Sequence, residues 1–154
     1  MPAKLPSYWH EAKLHLSRDA VLKPIIERYP EVRLRLKKDA FTTLARAIAG
    51  QQISVKAADS IWARVVAAAK GKPAKIDPTR IYRLSVQELR ACGLSERKAL
   101  YLQNLAEHFI AKKISAGQLA RMADAEAKSR LVELHGIGPW TAETSVTEVV
   151  VLDR

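Results

Sequence analysis

Apolar residues return at intervals of three and four along nearly the whole chain. Phe41, Leu44, Ala45 and Ile48 form one series, and Ala58, Ile61, Trp62, Val65 and Ala69 another. Such spacing gathers the apolar side chains on one stripe of an α-helix. Residues able to accept a hydrogen bond from a free helix N–H stand just before the runs: Asp39, Ser54, Asp77 with Pro78 behind it, Ser85 with Glu88 three positions on, and Ser95. Gly93 falls where a helix should stop. The pattern predicts helices over 7–16, 18–28, 39–50, 54–69, 85–91, 95–112, 124–134 and 139–148, hence an all-α chain. Residues 34–38 alternate apolar with basic and predict a short extended piece, while residues 70–75 read as a loop.

Composition narrows the partners. A length of 154 residues with 48% hydrophobic content suits one domain with a real core, expected over 1–154. A formal net charge of +10 favours polyanions. No apolar run is long enough for a membrane span, and the first ten residues lack the apolar centre of a secretory signal. The expectation is a cytoplasmic, nucleoid-associated protein with no membrane partner. One cysteine, Cys92, allows no internal disulfide and cannot alone hold an iron–sulfur cluster or a tetrahedral zinc, so it reads as a small buried apolar residue near a helix end.

Chemistry concentrates in residues 134–142, Leu134-His135-Gly136-Ile137-Gly138-Pro139-Trp140-Thr141-Ala142, between two predicted helices. Two glycines around one apolar residue allow a tight turn at positive φ and let another backbone approach closely. Ile137 can plug the groove between the helices, and Pro139 suits the first position of the second. The N–H groups of Gly138, Trp140 and Thr141 would then converge at the positive end of a helix dipole, a nest for a phosphate. The alternative is a helix–turn–helix corner whose glycines serve packing alone; the basic charge favours the nest.

The same segment resembles the L-x-G-I-G-x-W-T-A-E hairpin of the helix-hairpin-helix DNA glycosylase superfamily, 3-methyladenine DNA glycosylase II type. Two further stretches match that family in order. Residues 43–58, Thr43 to Ala58 around Gly50-Gln51-Gln52-Ile53-Ser54, are similar to its L-A-R-A-I-x-G-Q-Q-I-S-x-x-A-A segment, and Gly93-Leu94-Ser95-Glu96-Arg97-Lys98-Ala99 to its G-L-S-x-R-K-A turn. The resemblance implies a base-excision repair enzyme that flips an alkylated purine such as 3-methyladenine from duplex DNA and hydrolyses its bond to deoxyribose. It implies that Gln51 and Gln52 fill the vacated space, with Gln52 inserting. Without the family, the pair reads as a polar helix end satisfying backbone groups.

Related enzymes with lyase activity carry a lysine where Trp140 stands, so the resemblance implies a monofunctional hydrolase that forms no Schiff base. Trp140 could wall a pocket for a cationic base or simply pack between helices. No cofactor is implied beyond an alkali-metal ion held by hairpin carbonyls at His135 and Ile137.

The chain departs from the family at its end. The resemblance implies a catalytic aspartate roughly 20 positions past the second hairpin glycine, acting on an oxocarbenium-like sugar as carboxylates do in glycoside hydrolysis. The sole aspartate after the hairpin is Asp153, 15 positions past Gly138, and the closing helices that the resemblance implies would lie past Arg154. The segment from Glu143 to Leu152 is rich in β-branched residues, against the helix the family places there. The expected fold is thus an incomplete helix-hairpin-helix glycosylase, either active, with Asp153 or a partner chain completing the site, or reduced to DNA binding; a helical adaptor that binds no DNA is a third reading. An uncovered apolar tail would be hidden by a homodimer through the segment from Trp140 to Leu152, or by folding back.

Overall fold

A computed structural model describes residues 8–32, 39–73 and 75–149, with side chains described as far as Val146. The predicted extended piece at 34–38 and the candidate Asp153 lie outside the described residues. The chain divides into two compact units, residues 1–36 and 37–154.

The first unit holds α1 (Trp9–Leu16) and α2 (Leu22–Arg28). The second helix begins later than periodicity predicts. Asp19 is the reason: its carboxylate accepts the N–H groups of Val21 and Leu22, fixing a turn where the helix was expected to run. Between the two helices lies an apolar groove of about 250 Å³ lined by Trp9, Leu16, Ile25, Ile26 and Tyr29.

The second unit carries α3 (Ala40–Gly50), α4 (Val55–Ala68), α5 (Pro78–Tyr82), α6 (Val86–Ala91), α7 (Glu96–Ile110), α8 (Ala116–Arg121), α9 (Asp124–Val132) and α10 (Pro139–Val149). Among the described residues there is no strand, only an isolated antiparallel bridge between Lys72 and Lys75. The capping residues act as their positions predict. Asp39, Ser54, Asp77, Ser85 and Ser95 each accept a backbone N–H of the helix they precede, and Ser85 and Glu88 cap each other reciprocally. Gly93 follows α6 at φ +102°, a conformation that favours glycine. Cys92 is buried at the C-cap of α6 and donates its S–H to the Glu88 carbonyl.

The core lies between α3, α7 and α10. Leu44 and Ile48 of α3 and Leu102 and Leu105 of α7 are fully buried, each stabilising the fold by about 1.5–3 kcal/mol. Phe41 and Phe109 meet edge to face at 5.3 Å. The buried Thr42 hydroxyl accepts the Ile76 N–H at 2.9 Å, tying the start of α3 to the segment leading into α5.

Two short helices were not predicted, and a third, α10, forms where it was predicted against its local preference; each has a physical cause. Helix α5 was marked by its start signal, Asp77-Pro78, but five residues give no measurable periodicity. Helix α8 has a proper cap, Ser115 accepting the Gln118 N–H, yet Gly117 in its first turn lowers its intrinsic preference. Helix α10 runs to Val149 despite its β-branched residues, because Ala142, Ser145 and Val146 are buried on one face and packing outweighs a few tenths of a kcal/mol per residue of propensity. Among the described residues no helix is long and apolar enough to cross a membrane.

Candidate nucleic-acid interface

Helix α9 ends at Val132 and α10 begins at Pro139, leaving a hairpin turned by six residues. Its first bonds are local: Leu134 N–H to the Leu131 carbonyl at 3.0 Å and Ile137 N–H to the Leu134 carbonyl at 3.1 Å. Ile137 is 3% exposed and sits in the core cluster, so it plugs the space between the helices.

The two glycines differ. Gly136 has φ +87°, and a Cβ built on it would lie 2.3 Å from Cδ2 of Tyr101, so this position excludes a side chain for reasons internal to the fold. Gly138 is not in the left-handed region, contrary to a turn with both glycines at positive φ, and a Cβ there meets nothing within 4 Å. Its bareness leaves open space just outside the first turn of α10.

Ala142 N–H bonds the Gly138 carbonyl at 2.9 Å, closing that first turn. Among the described residues the N–H groups of Gly138, Trp140 and Thr141 have no acceptor. Three free donors at the positive end of a helix dipole suit an anion. The carbonyls of His135 and Ile137 likewise accept no hydrogen bond among the described residues, which fits a cation's needs. Among the described residues no group of three His, Cys, Asp or Glu could hold a metal ion.

The glutamine pair divides its roles. Gln51 is the C-cap of α3, and its side-chain amide donates to the Gly136 carbonyl at 2.8 Å and to the Thr141 hydroxyl at 3.3 Å. It therefore joins two segments 85 residues apart. Gln52 is exposed and left-handed, with φ +57°, a strained conformation for a residue with a side chain. Trp140 is 77% exposed, so it does not pack between helices among the described residues. Asp153 is beyond the described residues.

Two neighbours escaped the sequence reading. Lys98, in the first turn of α7, donates to the carbonyls of Ala49 at 3.0 Å and Gln51 at 2.7 Å. Burial pushes its ammonium down from the usual lysine range. Tyr101 backs Gly136, and the Arg97 guanidinium donates to its hydroxyl at 3.2 Å. Both lie in or beside the Gly93–Ala99 motif, but spacing alone says nothing about what a side chain reaches across a fold.

A helix-hairpin-helix with free donors, joined to an exposed strained glutamine on a basic chain, is an arrangement suited to a polyanion's backbone. The chain belongs to the HhH-GPD superfamily of base excision DNA repair proteins, whose model matches residues 45–151. It is 33% identical to the DNA-3-methyladenine glycosylase 1 of Schizosaccharomyces pombe, over 86% of this chain and 60% of that protein. It is 35% identical to the DNA-3-methyladenine glycosylase of Saccharomyces cerevisiae, over 87% of this chain and 52% of that protein. The solved structure of the Schizosaccharomyces pombe 3-methyladenine DNA glycosylase in complex with abasic DNA superposes with a TM-score of 0.77 at 30% identity, covering 90% of this chain and 69% of that one. The chain thus spans between half and two thirds of the length of these curated relatives.

Proposed function

We propose that the chain binds duplex DNA and acts as a monofunctional glycosylase on alkylated purines such as 3-methyladenine. One observation carries this reading: the Gln51 amide bonded to the Gly136 carbonyl unites the phosphate nest and the exposed Gln52. The hairpin holds a phosphate through Gly138, Trp140 and Thr141, and Gln52 enters the duplex where the damaged nucleotide leaves the stack. Trp140 offers an aromatic face to the electron-poor base. The His135 and Ile137 carbonyls would hold an alkali-metal ion, which would add positive charge beside the phosphate.

The chemistry is displacement at the sugar carbon. An alkylated purine is already cationic, so it departs with the electron pair of its bond to C1′ and becomes neutral. A carboxylate stabilises the positive sugar, and water adds to C1′ and releases one proton to solvent, leaving an abasic site. Asp153 supplies that carboxylate.

A second reading is DNA binding without base release. It is favoured by Glu143, a carboxylate of α10 whose Oε2 is 2.7 Å from the Lys128 ammonium and is thereby engaged. One experiment separates the two: incubation of the chain with alkylated duplex DNA, with assay of free 3-methyladenine and abasic sites. Binding without release establishes the second reading. Binding that does not weaken steeply with added salt rules out both, since phosphate contacts release counterions.

A further inference from the structure

We infer that Lys98 is a positioning residue that holds Gln52 in its strained, left-handed conformation, and so sets the direction in which that side chain is presented to DNA. The part concerning DNA rests on the glycosylase reading above; the part concerning Gln52 does not.

Lys98 is third in α7 after the cap Ser95, at the helix's positive end, where its own N–H is accepted by the Ser95 hydroxyl. A cation is unfavourable there, and half-burial adds a desolvation cost. What offsets this is another helix: the ammonium meets the C-terminal end of α3, where it donates to the carbonyls of Ala49 and Gln51 at 3.0 and 2.7 Å. A cation at a helix C-terminus is stabilising, and both carbonyls are among those a helix end leaves without partners.

The Gln51 carbonyl is the important one. It belongs to the peptide plane joining Gln51 to Gln52, and the orientation of that plane is one of the two determinants of φ at Gln52. That φ is +57°, on a residue with no glycine-like freedom. Such a conformation persists when its surroundings over-determine it. Here the plane is held from Lys98, and the Gln51 side chain is held by Gly136 and Thr141. The turn is therefore clamped before Gln52, while Gln52 itself remains exposed.

A double-mutant cycle separates this role from simple capping of α3. Lys98→Met removes the clamp, and Gln52→Gly removes the resistance to positive φ. Lys98→Met in the Gln52 background should lower Tm by several degrees, and in the Gln52→Gly background by less than half as much. Lys98→Arg, which keeps a cation within reach of both carbonyls, should recover most of the loss. An equal loss in both backgrounds makes Lys98 a helix cap with no hold on Gln52 and overturns the inference. If Lys98→Met does not fold, the cycle is run on Lys98→Gln, judged by the same inequality.

A second measurement addresses presentation to DNA: the ratio of affinities for a duplex containing a tetrahydrofuran abasic analogue and for the intact duplex. Lys98→Met should reduce the wild-type preference about ten-fold. An unchanged ratio overturns the link from Lys98 to DNA. A wild-type chain with no preference for the abasic duplex overturns the glycosylase reading, and leaves the hold on Gln52 to the thermal cycle.

Discussion

The two hairpin glycines should come apart under substitution, one failing in folding and the other in binding. Gly136→Ala places a methyl group at φ +87°, and the left-handed region costs about 1–2 kcal/mol for a residue with a Cβ. The methyl also lies 2.3 Å from Cδ2 and 2.5 Å from Cγ of Tyr101, so the ring must move by more than 1 Å, and forced repacking of this kind costs about 1–3 kcal/mol. The sum, roughly 2–5 kcal/mol, corresponds to a fall in Tm of about 10 °C or more for a unit of this size. Gly138→Ala meets no atom within 4 Å and no forbidden φ. Its unfolded-state benefit of about 0.4–1 kcal/mol is offset by alanine being the poorer residue at a helix N-cap, so Tm should move by less than about 2 °C. Yet the methyl occupies the space through which a phosphate reaches the free N–H groups, and affinity should fall about ten-fold, or 1.4 kcal/mol. Thermal unfolding by circular dichroism and anisotropy titration of an undamaged duplex at fixed salt measure the two effects. A Gly136→Ala variant within 2 °C of the parent refutes the steric account of the turn. A stable Gly138→Ala variant that binds DNA as the parent does would falsify the phosphate-approach account.

The remaining predictions concern the aromatic, the absent amine and the caps. Trp140→Ala should leave Tm within about 2 °C, since a residue 77% exposed contributes little packing, while reducing the preference for alkylated over undamaged duplex in competition binding; a large fall in Tm contradicts this. Where base release is observed, borohydride should trap no protein–DNA adduct, because no amine stands at Trp140, and a trapped band in denaturing electrophoresis would overturn the monofunctional reading. Hydrogen bonds from Thr79 hold the Asp77 carboxyl below its usual 3.8, so its stabilisation is present above the unfolded value and is lost as pH falls through the lowered one. Asp77→Asn should therefore narrow the gap in Tm between pH 7 and pH 3, and an unaltered gap counts against the cap's role.

Much of the fold was legible because its signals are local. Asp39, Ser54, Ser85 and Ser95 announce helix starts through bonds to residues three positions away, so sequence contains both partners. Pro139 and Ile137 were legible for the same reason. The hairpin's surroundings were not. That Gly136 is closed by Tyr101, while Gly138 faces open space, depends on a helix 35 residues earlier in the chain. Gln51 and Gln52 look alike in sequence, and only their backbone torsions and the reach of the Gln51 amide assign them different tasks. Lys98 reads as a surface lysine until α3 and α7 are placed side by side.

On the DNA-binding reading proposed above, the bond from Gln51 to Gly136 also governs how the surface would search. Its two turns are fastened to each other before any encounter, so the spacing between grip and probe is not renegotiated at each contact. No ordering entropy has to be spent on assembling them when DNA arrives. A surface of fixed span tests the compliance of the duplex rather than adapting to it. Well-stacked pairs resist and are passed over; a pair weakened by damage yields, because extruding it costs the least. In such an encounter the DNA is the soft partner, and discrimination begins as mechanics before any atom of the damaged base is contacted.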